Sequence, residues 1–268
     1  MMAKLAIIAH GGAGADPLKK SNIEEAIQKG SSLLESDACA VDAAVEACVI
    51  LENDPAFNAG TGSVTRLDGS VLVDASIHVN DGRLGFVASM PETPNPIRVA
   101  EALLDEEING LGGIGAREWA DQRGIPRSAV TPRPPGKIAS GDTVGVIAMD
   151  SEGVMVTATS TGGCSDQPAG RIGDVPLPGC GFWVESGVAI AATGIGEAIT
   201  REMLSHRVHG WISRDGMPMG RAFEKAIKTR FDESTDVGLI GMTSDGSCAA
   251  RANTNMPWAS WNSDGIRG

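Results

Sequence analysis

The 268-residue sequence has no cluster of lysine and arginine, and its formal net charge is −12 at pH 7. Proteins that bind nucleic acid or an anionic membrane surface usually present a basic patch, so we expect neither partner. No apolar stretch is long enough to span a bilayer, and the strand-like run over 4–9 enters a glycine turn, unlike a secretory signal. These absences predict an acidic, soluble protein without a membrane segment.

Cysteine is present but offers neither a disulfide framework nor a metal motif. The five cysteines are an odd number, form no C-x-x-C pair and mostly lie in apolar surroundings, as Cys39, Cys48 and Cys248 do. We therefore expect reduced thiols and a cytoplasmic location. Cys164 lies in a loop rich in glycine and serine, where no histidine or second cysteine is close enough in sequence to indicate a metal site.

Common catalytic and cofactor motifs are absent as well. No G-x-S-x-G elbow accompanies the four histidines, which argues against a serine hydrolase. His206 and His209 lack the H-E-x-x-H pattern of a zinc site. The segment 192–197 does not fit a dinucleotide fingerprint, because Ile199 stands where the third glycine is needed. The sequence therefore predicts neither a catalytic metal nor a nucleotide cofactor.

The sequence does contain hairpin signals interleaved with pairs of helices. Turn residues such as Asp81-Gly82 and Asp245-Gly246 separate short apolar strands, and the helical segments have apolar residues at helical spacing. We expect strands at 4–10, 70–79, 83–89, 144–150, 154–161, 188–193, 237–243 and 247–253, and helices at 22–35, 39–53, 95–107, 113–123, 196–212 and 218–231. This order predicts an α+β fold in which two sheets pack face to face and helices cover the outside.

One predicted hairpin brings two threonines together. A strand that begins at Val144 and a strand that ends at Thr161 are joined by a three-residue turn, in which Gly153 takes the left-handed position. The turn fixes the register, so that Thr143 lies opposite Thr161. The alternative is an ordinary buried hairpin whose β-branched residues have no chemical role.

The segment from Asp121 to Asp142 differs in composition from the rest of the chain. It contains Thr131-Pro-Arg-Pro-Pro-Gly136 and no periodic apolar pattern, which is typical of a mobile linker. The segment runs directly into the buried strand that follows Thr143. Such a junction is odd in an ordinary domain and natural in a chain that is cut there.

A cut before a threonine would give its hydroxyl an adjacent base. A threonine hydroxyl is a poor nucleophile unless a base is adjacent, and the α-amine of an N-terminal threonine can be that base. This amine has a pKa near ~8 and can accept a proton around neutrality. The histidines lie in a glycine turn, in a strand pattern and on a helix, and they offer no obvious alternative base.

Two charges three residues apart form a candidate recognition site for an amino acid. In Gly170-Arg171-Ile172-Gly173-Asp174, the guanidinium can hold a carboxylate while Asp174 pairs with an ammonium. The alternative, in which Arg171 and Asp174 pair with each other, stays open. Further along, the segment 192–197 ends a strand and begins a helix, so its amides can face an anion or a developing oxyanion.

Six segments, taken in order, identify a family: HGGAG at 10–14, FNAGTGS at 57–63, GDTVG at 141–145, TSTGG at 159–163, GRIGD at 170–174 and ATGIGE at 192–197. Together they resemble the N-terminal-nucleophile hydrolase family of plant-type L-asparaginases and isoaspartyl peptidases. The resemblance covers nearly the whole chain. It implies a single domain over residues 1–268 with a four-layer αββα sandwich.

The resemblance also implies that the chain cuts itself between Asp142 and Thr143. The products would be an α subunit, 1–142, which ends in the linker from about residue 121, and a β subunit, 143–268. Thr143 would be the catalytic nucleophile, and Thr161 would hydrogen-bond to it, as the hairpin register predicts independently. Asn58 matches an asparagine that helps to order the cleavage site.

By the same resemblance, Arg171 and Asp174 would hold the α-carboxylate and the α-ammonium of the substrate. Thr193 and Gly194 match the catalytic pair that lines the oxyanion hole, and Gly194 and Gly196 also match positions that contact the substrate. The expected reaction is hydrolysis of the side-chain amide of L-asparagine, or of a β-aspartyl dipeptide, through a covalent β-aspartyl-threonine intermediate.

The resemblance implies no organic cofactor. The loop from Val49 to Thr61 matches one whose carbonyls bind a structural sodium ion in some relatives, and members of the family are dimers of processed αβ units, hence heterotetramers. Gln167 stands where many relatives have lysine, a difference that bears on substrate preference. The alternatives are a glycosylasparaginase and an unprocessed, inactive homologue that binds amino acids.

Overall fold

Two antiparallel-rich sheets form the centre of the protein, in a computed structural model that describes residues 4–132 and 143–268. Asp142, with the end of the predicted linker, lies outside these residues. The described strands are β1 Ala6–His10, β2 Leu72–Val79, β3 Leu84–Pro91, β4 Gly110–Gly112, β5 Val144–Met149, β6 Met155–Thr161, β7 Phe182–Glu185, β8 Val188–Gly194, β9 Val237–Thr243, β10 Cys248–Ala252, β11 Trp258–Asn262 and β12 Gly265–Arg267.

The larger sheet has eight described strands in the order β12-β11-β1-β5-β6-β2-β3-β4, and the smaller has four in the order β10-β9-β8-β7. Helices pack on the outer faces of both sheets. Those of the described residues are α1 Lys20–Glu35, α2 Ala40–Asn53, α3 Pro96–Ala102, α4 Gly113–Gln122, α5 Gly196–Glu202, α6 Leu204–Ser213 and α7 Met219–Arg230.

Alternation along the central strands separates the core into layers. On β5, Val146 faces the helices α1 to α4, whereas its neighbour Ile147 packs between the two sheets. On β8, Ala189 faces the other sheet and Ile190 packs against the helices of the second outer layer. Each large side chain buried in this way contributes roughly 1.5–3 kcal/mol. The predicted α+β fold, with helices outside two stacked sheets, is thus confirmed.

The helix predicted over 196–212 is wrong as a single element. It is two helices, α5 and α6, which meet at Met203 in the left-handed conformation, with φ of 45°. Amides at the start of α6 bond outside the helix, since Ser205 N donates to Cys180 O and His206 N donates to Gly179 O. These bonds turn α6 onto the neighbouring loop, a tertiary effect that helical periodicity does not contain.

The first part of the predicted linker is attached to the body of the protein. Helix α4 continues to Gln122, and its fully buried Arg117 donates hydrogen bonds to the carbonyls of Ile125 and Pro126, which lie beyond the end of the helix. Ser128 N donates to Glu92 O. The irregular segment therefore begins after α4 and is bonded to the domain as far as residue 128.

All five cysteines lie within the described residues and are free thiols, in line with the prediction of reduced cysteines. Among the described helices, none combines the length and the apolar character that a membrane crossing requires.

Candidate active site

The hairpin of β5 and β6 brings Thr143 and Thr161 into contact, as its register predicts. Val144 pairs with Ser160 and Met149 pairs with Met155, which places Thr143 opposite Thr161. The Thr143 hydroxyl donates to Thr161 Oγ1 at 3.2 Å, and both residues are buried, with 7% and 4% of their surface exposed. Ser76 and Thr159 form a similar pair at 2.6 Å in the same sheet, so a chemical role for Thr143 rests on the pocket around it rather than on the pair alone.

His10 lies against the strand that carries Thr143. Its Cα partner in the β1–β5 ladder is Gly145, and a Cβ atom at Gly145 would lie 2.4 Å from His10 Nε2. Burial lowers the pKa of His10 to about 3, with a smaller opposing effect from a hydrogen bond to the Thr143 backbone. The imidazole is therefore neutral at physiological pH. Because Gly12 N donates to Nδ1, the ring proton is on Nε2, which faces Gly145.

Asn58 holds the turn that follows Thr161. Its amide nitrogen donates to Gly163 O at 2.6 Å, while its backbone carbonyl accepts from Gly162 N at 2.8 Å. The side-chain oxygen accepts from Val64 N at 3.1 Å. The FNAGTGS loop thus holds the turn that follows Thr161. Asn58 acts on Thr143 through this turn and not by a hydrogen bond of its own.

Arg171 is paired with Glu197, which the sequence did not indicate. Its Nε and Nη2 donate to the two carboxylate oxygens of Glu197, each at 2.9 Å. The guanidinium also lies close to Gly173, where a Cβ atom would be 2.7 Å from Nη1. The sequence left open whether Arg171 and Asp174 pair with each other; in the structure Arg171 pairs with Glu197 instead. Both groups do meet at Gly196, where a Cβ atom would be 2.8 Å from Arg171 Nη2 and 2.9 Å from Asp174 Oδ1.

The Asp174 carboxyl is almost completely buried. Burial is the main reason that its pKa rises to about 7, and the neighbouring Arg171 guanidinium opposes this rise. The charges of Asp74 and Glu197 raise it further. Asp174 therefore changes charge near neutrality, and a cationic group bound beside it would favour the ionised form.

The end of β8 supplies a backbone that only glycine can adopt. Gly194 has φ of +139°, and a Cβ atom there would lie 2.1 Å from Asp236 O. The preceding Thr193 is fully buried, and its Oγ1 accepts a hydrogen bond from Ala13 N at 3.1 Å. Thr193 thus joins the end of β8 to the HGGAG turn.

These segments surround one narrow pocket. Nine residues line the pocket, and they come from the threonine hairpin, the turn that follows it, the GRIGD loop and the end of β8. They are Thr143, Thr161, Gly163, Cys164, Arg171, Gly173, Asp174, Gly194 and Gly196. Of the predicted residues, Asn58 and Thr193 lie behind the lining. Asp142 lies outside the described residues. The pocket holds one hydroxyl pair and charges of both signs, a combination suited to a small zwitterion next to a nucleophile.

The loop predicted to bind sodium brings several carbonyl groups against glycines. A Cβ atom at Gly60 would lie 2.6 Å from Glu52 O, and one at Gly62 would lie 2.0 Å from Phe57 O and 2.7 Å from Pro55 O. Backbone carbonyl oxygens are ligands that alkali cations bind. The loop thus contains oxygen ligands of the type that sodium binds, and a structural sodium ion held by them stays a prediction that enters no step of the chemistry below.

Known proteins of one family match this sequence along nearly its whole length. A family model described as asparaginase matches residues 3–132 and 128–267. A plant-type L-asparaginase of Pyrobaculum calidifontis is 35% identical in an alignment of 296 positions, gaps included, that covers 97% of this chain and 97% of that protein. An isoaspartyl peptidase/L-asparaginase of Danio rerio is 32% identical over 94% of this chain and 91% of its own length. An isoaspartyl peptidase of Escherichia coli is 28% identical over 97% of this chain and 93% of its own length.

Proposed function

The chain belongs to the asparaginase family, and from this premise we propose that it hydrolyses the side-chain amide of L-asparagine, β-aspartyl dipeptides, or both. Family membership makes it a hydrolase of amide or isopeptide bonds. The finer statement, that a threonine carries the reaction after self-cleavage, is our proposal. The observation that carries it is the Thr143–Thr161 hydroxyl pair in the pocket that also holds Arg171 and Asp174.

The proposed activation step is cleavage of the Asp142–Thr143 peptide bond. In the intact chain the Thr143 nitrogen is an amide, which cannot act as a base. Hydrolysis of this bond by one water molecule leaves a carboxylate at the end of fragment 1–142 and converts the nitrogen of fragment 143–268 into an α-amine with a pKa near ~8. The neutral His10 behind Thr143 is too weak a base for this role, because its pKa is about 3. The new α-amine therefore acts as the base.

The proposed chemistry then follows from the groups around Thr143. The α-amine takes the hydroxyl proton while Oγ1 attacks the side-chain carbonyl carbon, forming a tetrahedral oxyanion. We assign the stabilisation of this oxyanion to Thr193 and Gly194 at the end of β8. The C–N bond breaks, the leaving nitrogen receives the proton, and ammonia or the amino group of the next residue departs. Water hydrolyses the remaining β-aspartyl ester and restores the hydroxyl.

The charged side of the pocket accounts for the substrate class. A guanidinium binds a carboxylate bidentately, and an ionised buried carboxyl binds an ammonium. Arg171 and Asp174 therefore suit the α-carboxylate and α-ammonium that asparagine and β-aspartyl dipeptides share, with Gly196 leaving room between them. We also propose a dimer of processed αβ units, which rests on the family resemblance, and a cytoplasmic location, which rests on the free cysteines.

The first test is the intact mass of the denatured protein, wild type beside Thr143→Ala, during incubation at neutral pH. We expect two wild-type fragments, the second beginning at Thr143, and a single uncut chain in the variant. Release of ammonia from asparagine and of free amino acids from β-aspartyl dipeptides is then measured on the processed protein. An uncut wild type that binds aspartate without hydrolysing either substrate would contradict the proposal and support an amino-acid-binding homologue.

A further inference from the structure

Arg66 is a buried arginine that lies outside the pocket lining and holds two carbonyl groups. Only 3% of its surface is exposed. Its Nη1 donates to Cys164 O at 3.0 Å, and its Nη2 donates to Leu72 O at 3.1 Å. Arg66 itself is fixed by a tight turn, since its amide donates to Ser70 O at 2.8 Å and its carbonyl accepts from Gly69 N at 2.9 Å. The guanidinium is therefore a rigid donor directed at the chain that follows Thr161.

The guanidinium packs directly on Gly163. This glycine has φ of +76°, and a Cβ atom there would lie 2.1 Å from Arg66 Nη1. From another direction, Asn58 Nδ2 donates to the Gly163 carbonyl at 2.6 Å. The turn of residues 162–164 is thus held between Asn58 and Arg66, which bond to the carbonyls of Gly163 and Cys164.

The turn acts on the catalytic side of the pocket through one amide. Gly163 N donates to Thr161 Oγ1 at 3.1 Å, and the Thr143 hydroxyl donates to the same oxygen at 3.2 Å. Thr161 Oγ1 accepts both bonds with its two lone pairs, which fixes the direction of its own hydrogen. The position of the Gly163 amide therefore determines how Thr161 presents its hydroxyl to Thr143.

A buried cation requires compensation by carboxylates nearby. Asp74 lies opposite Thr161 in the β2–β6 ladder, is fully buried, and accepts from Ser89 N at 2.7 Å. Burial raises the pKa of Asp74 to about 6, while the charges of Arg66 and Arg171 lower it. Arg66 thus belongs to the same electrostatic neighbourhood as Arg171, although it holds backbone and not a carboxylate.

We propose that Arg66 is a positioning residue for the hydrolysis described above, on which this inference rests: its guanidinium holds the turn of residues 162–164 so that the Gly163 amide orients Thr161 toward Thr143. Substrate recognition by Arg171 and Asp174 is not its role. Arg66 should therefore influence the chemical step far more than substrate affinity.

The test compares Arg66→Met with Arg66→Lys and with a matched control, Arg117→Met. Arg117 is a second fully buried arginine that donates to backbone carbonyls, those of Ile125 and Pro126, outside the pocket lining. Both methionine variants lose stability, so all proteins are assayed at the same interval below their own Tm. Amide hydrogen exchange of the peptide that contains Gly163 is measured together with kcat and KM.

We expect exchange around Gly163 to accelerate by about tenfold or more in Arg66→Met, because two charge-assisted hydrogen bonds are lost. We expect kcat to fall roughly tenfold to a hundredfold with KM changed less than about threefold. Arg66→Lys, which can reach one carbonyl, should lie between, and Arg117→Met should resemble wild type in both readouts.

Two different results would overturn the inference. Exchange at Gly163 that is equal in Arg66→Met and Arg117→Met would show that Arg66 does not hold the turn, whatever the activity. A higher KM with kcat unchanged would place Arg66 in substrate binding instead. Absence of hydrolysis by the wild-type protein, with both exchange results as expected, would reject the proposed function and with it the catalytic purpose of the turn.

Discussion

The two sides of the candidate site are built by different means. On one side, Thr143 and Thr161 are neutral, buried and placed by the register of a single hairpin. On the other, Arg171 and Asp174 carry charge and are placed by an irregular loop and the start of a helix, where Glu197 already occupies one edge of the guanidinium.

This difference indicates a division of work between the two sides. A hydroxyl pair fixed by a strand ladder needs no counter-ion and can be aligned tightly, whereas buried charges need partners when the pocket is empty. Changes on the hydroxyl side should lower kcat, and changes on the charged side should raise KM. Four predictions test this separation, beginning with the largest effect.

Thr161→Val should lower kcat by roughly a hundredfold to a thousandfold with little change in KM, because Thr143 loses its hydroxyl partner while the strand shape is kept. Steady-state kinetics of the processed enzyme measure this. Thr157→Val is the control, since Thr157 lies on the same strand, is buried, and its hydroxyl has no partner among the described residues. A higher KM at normal kcat in Thr161→Val would break the division.

Arg171→Met should raise KM by about a hundredfold, because the substrate carboxylate would lose a paired, partly buried cation. The effect on kcat should be much smaller. Arg251→Met, which removes an exposed partner of Glu224, is the control and should change neither constant. A loss confined to kcat would indicate that the charged side takes part in the chemical step.

The hydroxyl side is also the side that the sequence predicts well. The turn length and Gly153, which has φ of +80°, fix the β5–β6 register through local chemistry alone. The strands of this hairpin, the helices α1, α2 and α7, and the stacking of two sheets follow from periodicity for the same reason. Elements of three to five residues such as β4, β7, β11 and β12 were missed, since short strands stabilised by their neighbours carry little periodic signal.

The charged side could be predicted only as a set of residue types. The sequence indicates Arg171 and Asp174, but not that Glu197, 26 residues from Arg171, is the partner of the guanidinium. Arg66 gives even less signal, because a single arginine in a turn is usually exposed and only the tertiary structure buries it. Pairing between distant loops depends on how the layers pack, which neither spacing nor composition encodes.

The charged side should contribute one of two ionisations to the acidic limb of the pH profile; the other belongs to the Thr143 α-amine, which must be neutral to act as the base. Below its pKa of about 7, the buried Asp174 is neutral and no longer attracts an ammonium group. We therefore expect kcat/KM to fall by about tenfold for each pH unit below the amine pKa near ~8, and by about a hundredfold for each unit below the Asp174 pKa of about 7, where both ionisations are required. Asp174→Asn should have low activity and a flatter acidic limb, in which Asp74, with a pKa of about 6, is the remaining nearby carboxyl. An unchanged limb in this variant would assign it to another group.

The smallest effect should come from Glu197, and it sharpens the comparison most. Its carboxylate competes with a substrate carboxylate for Arg171, but it also fixes the guanidinium through two hydrogen bonds. Glu197→Gln removes the competing charge and keeps one acceptor, so KM should fall by about twofold to fivefold with kcat unchanged, a small change because this side chain is half exposed. Glu197→Ala is the comparison that loses both functions. A KM that rises equally in both variants would mean that Glu197 acts by holding Arg171 in place, and that the charged side is then ordered as rigidly as the hydroxyl side.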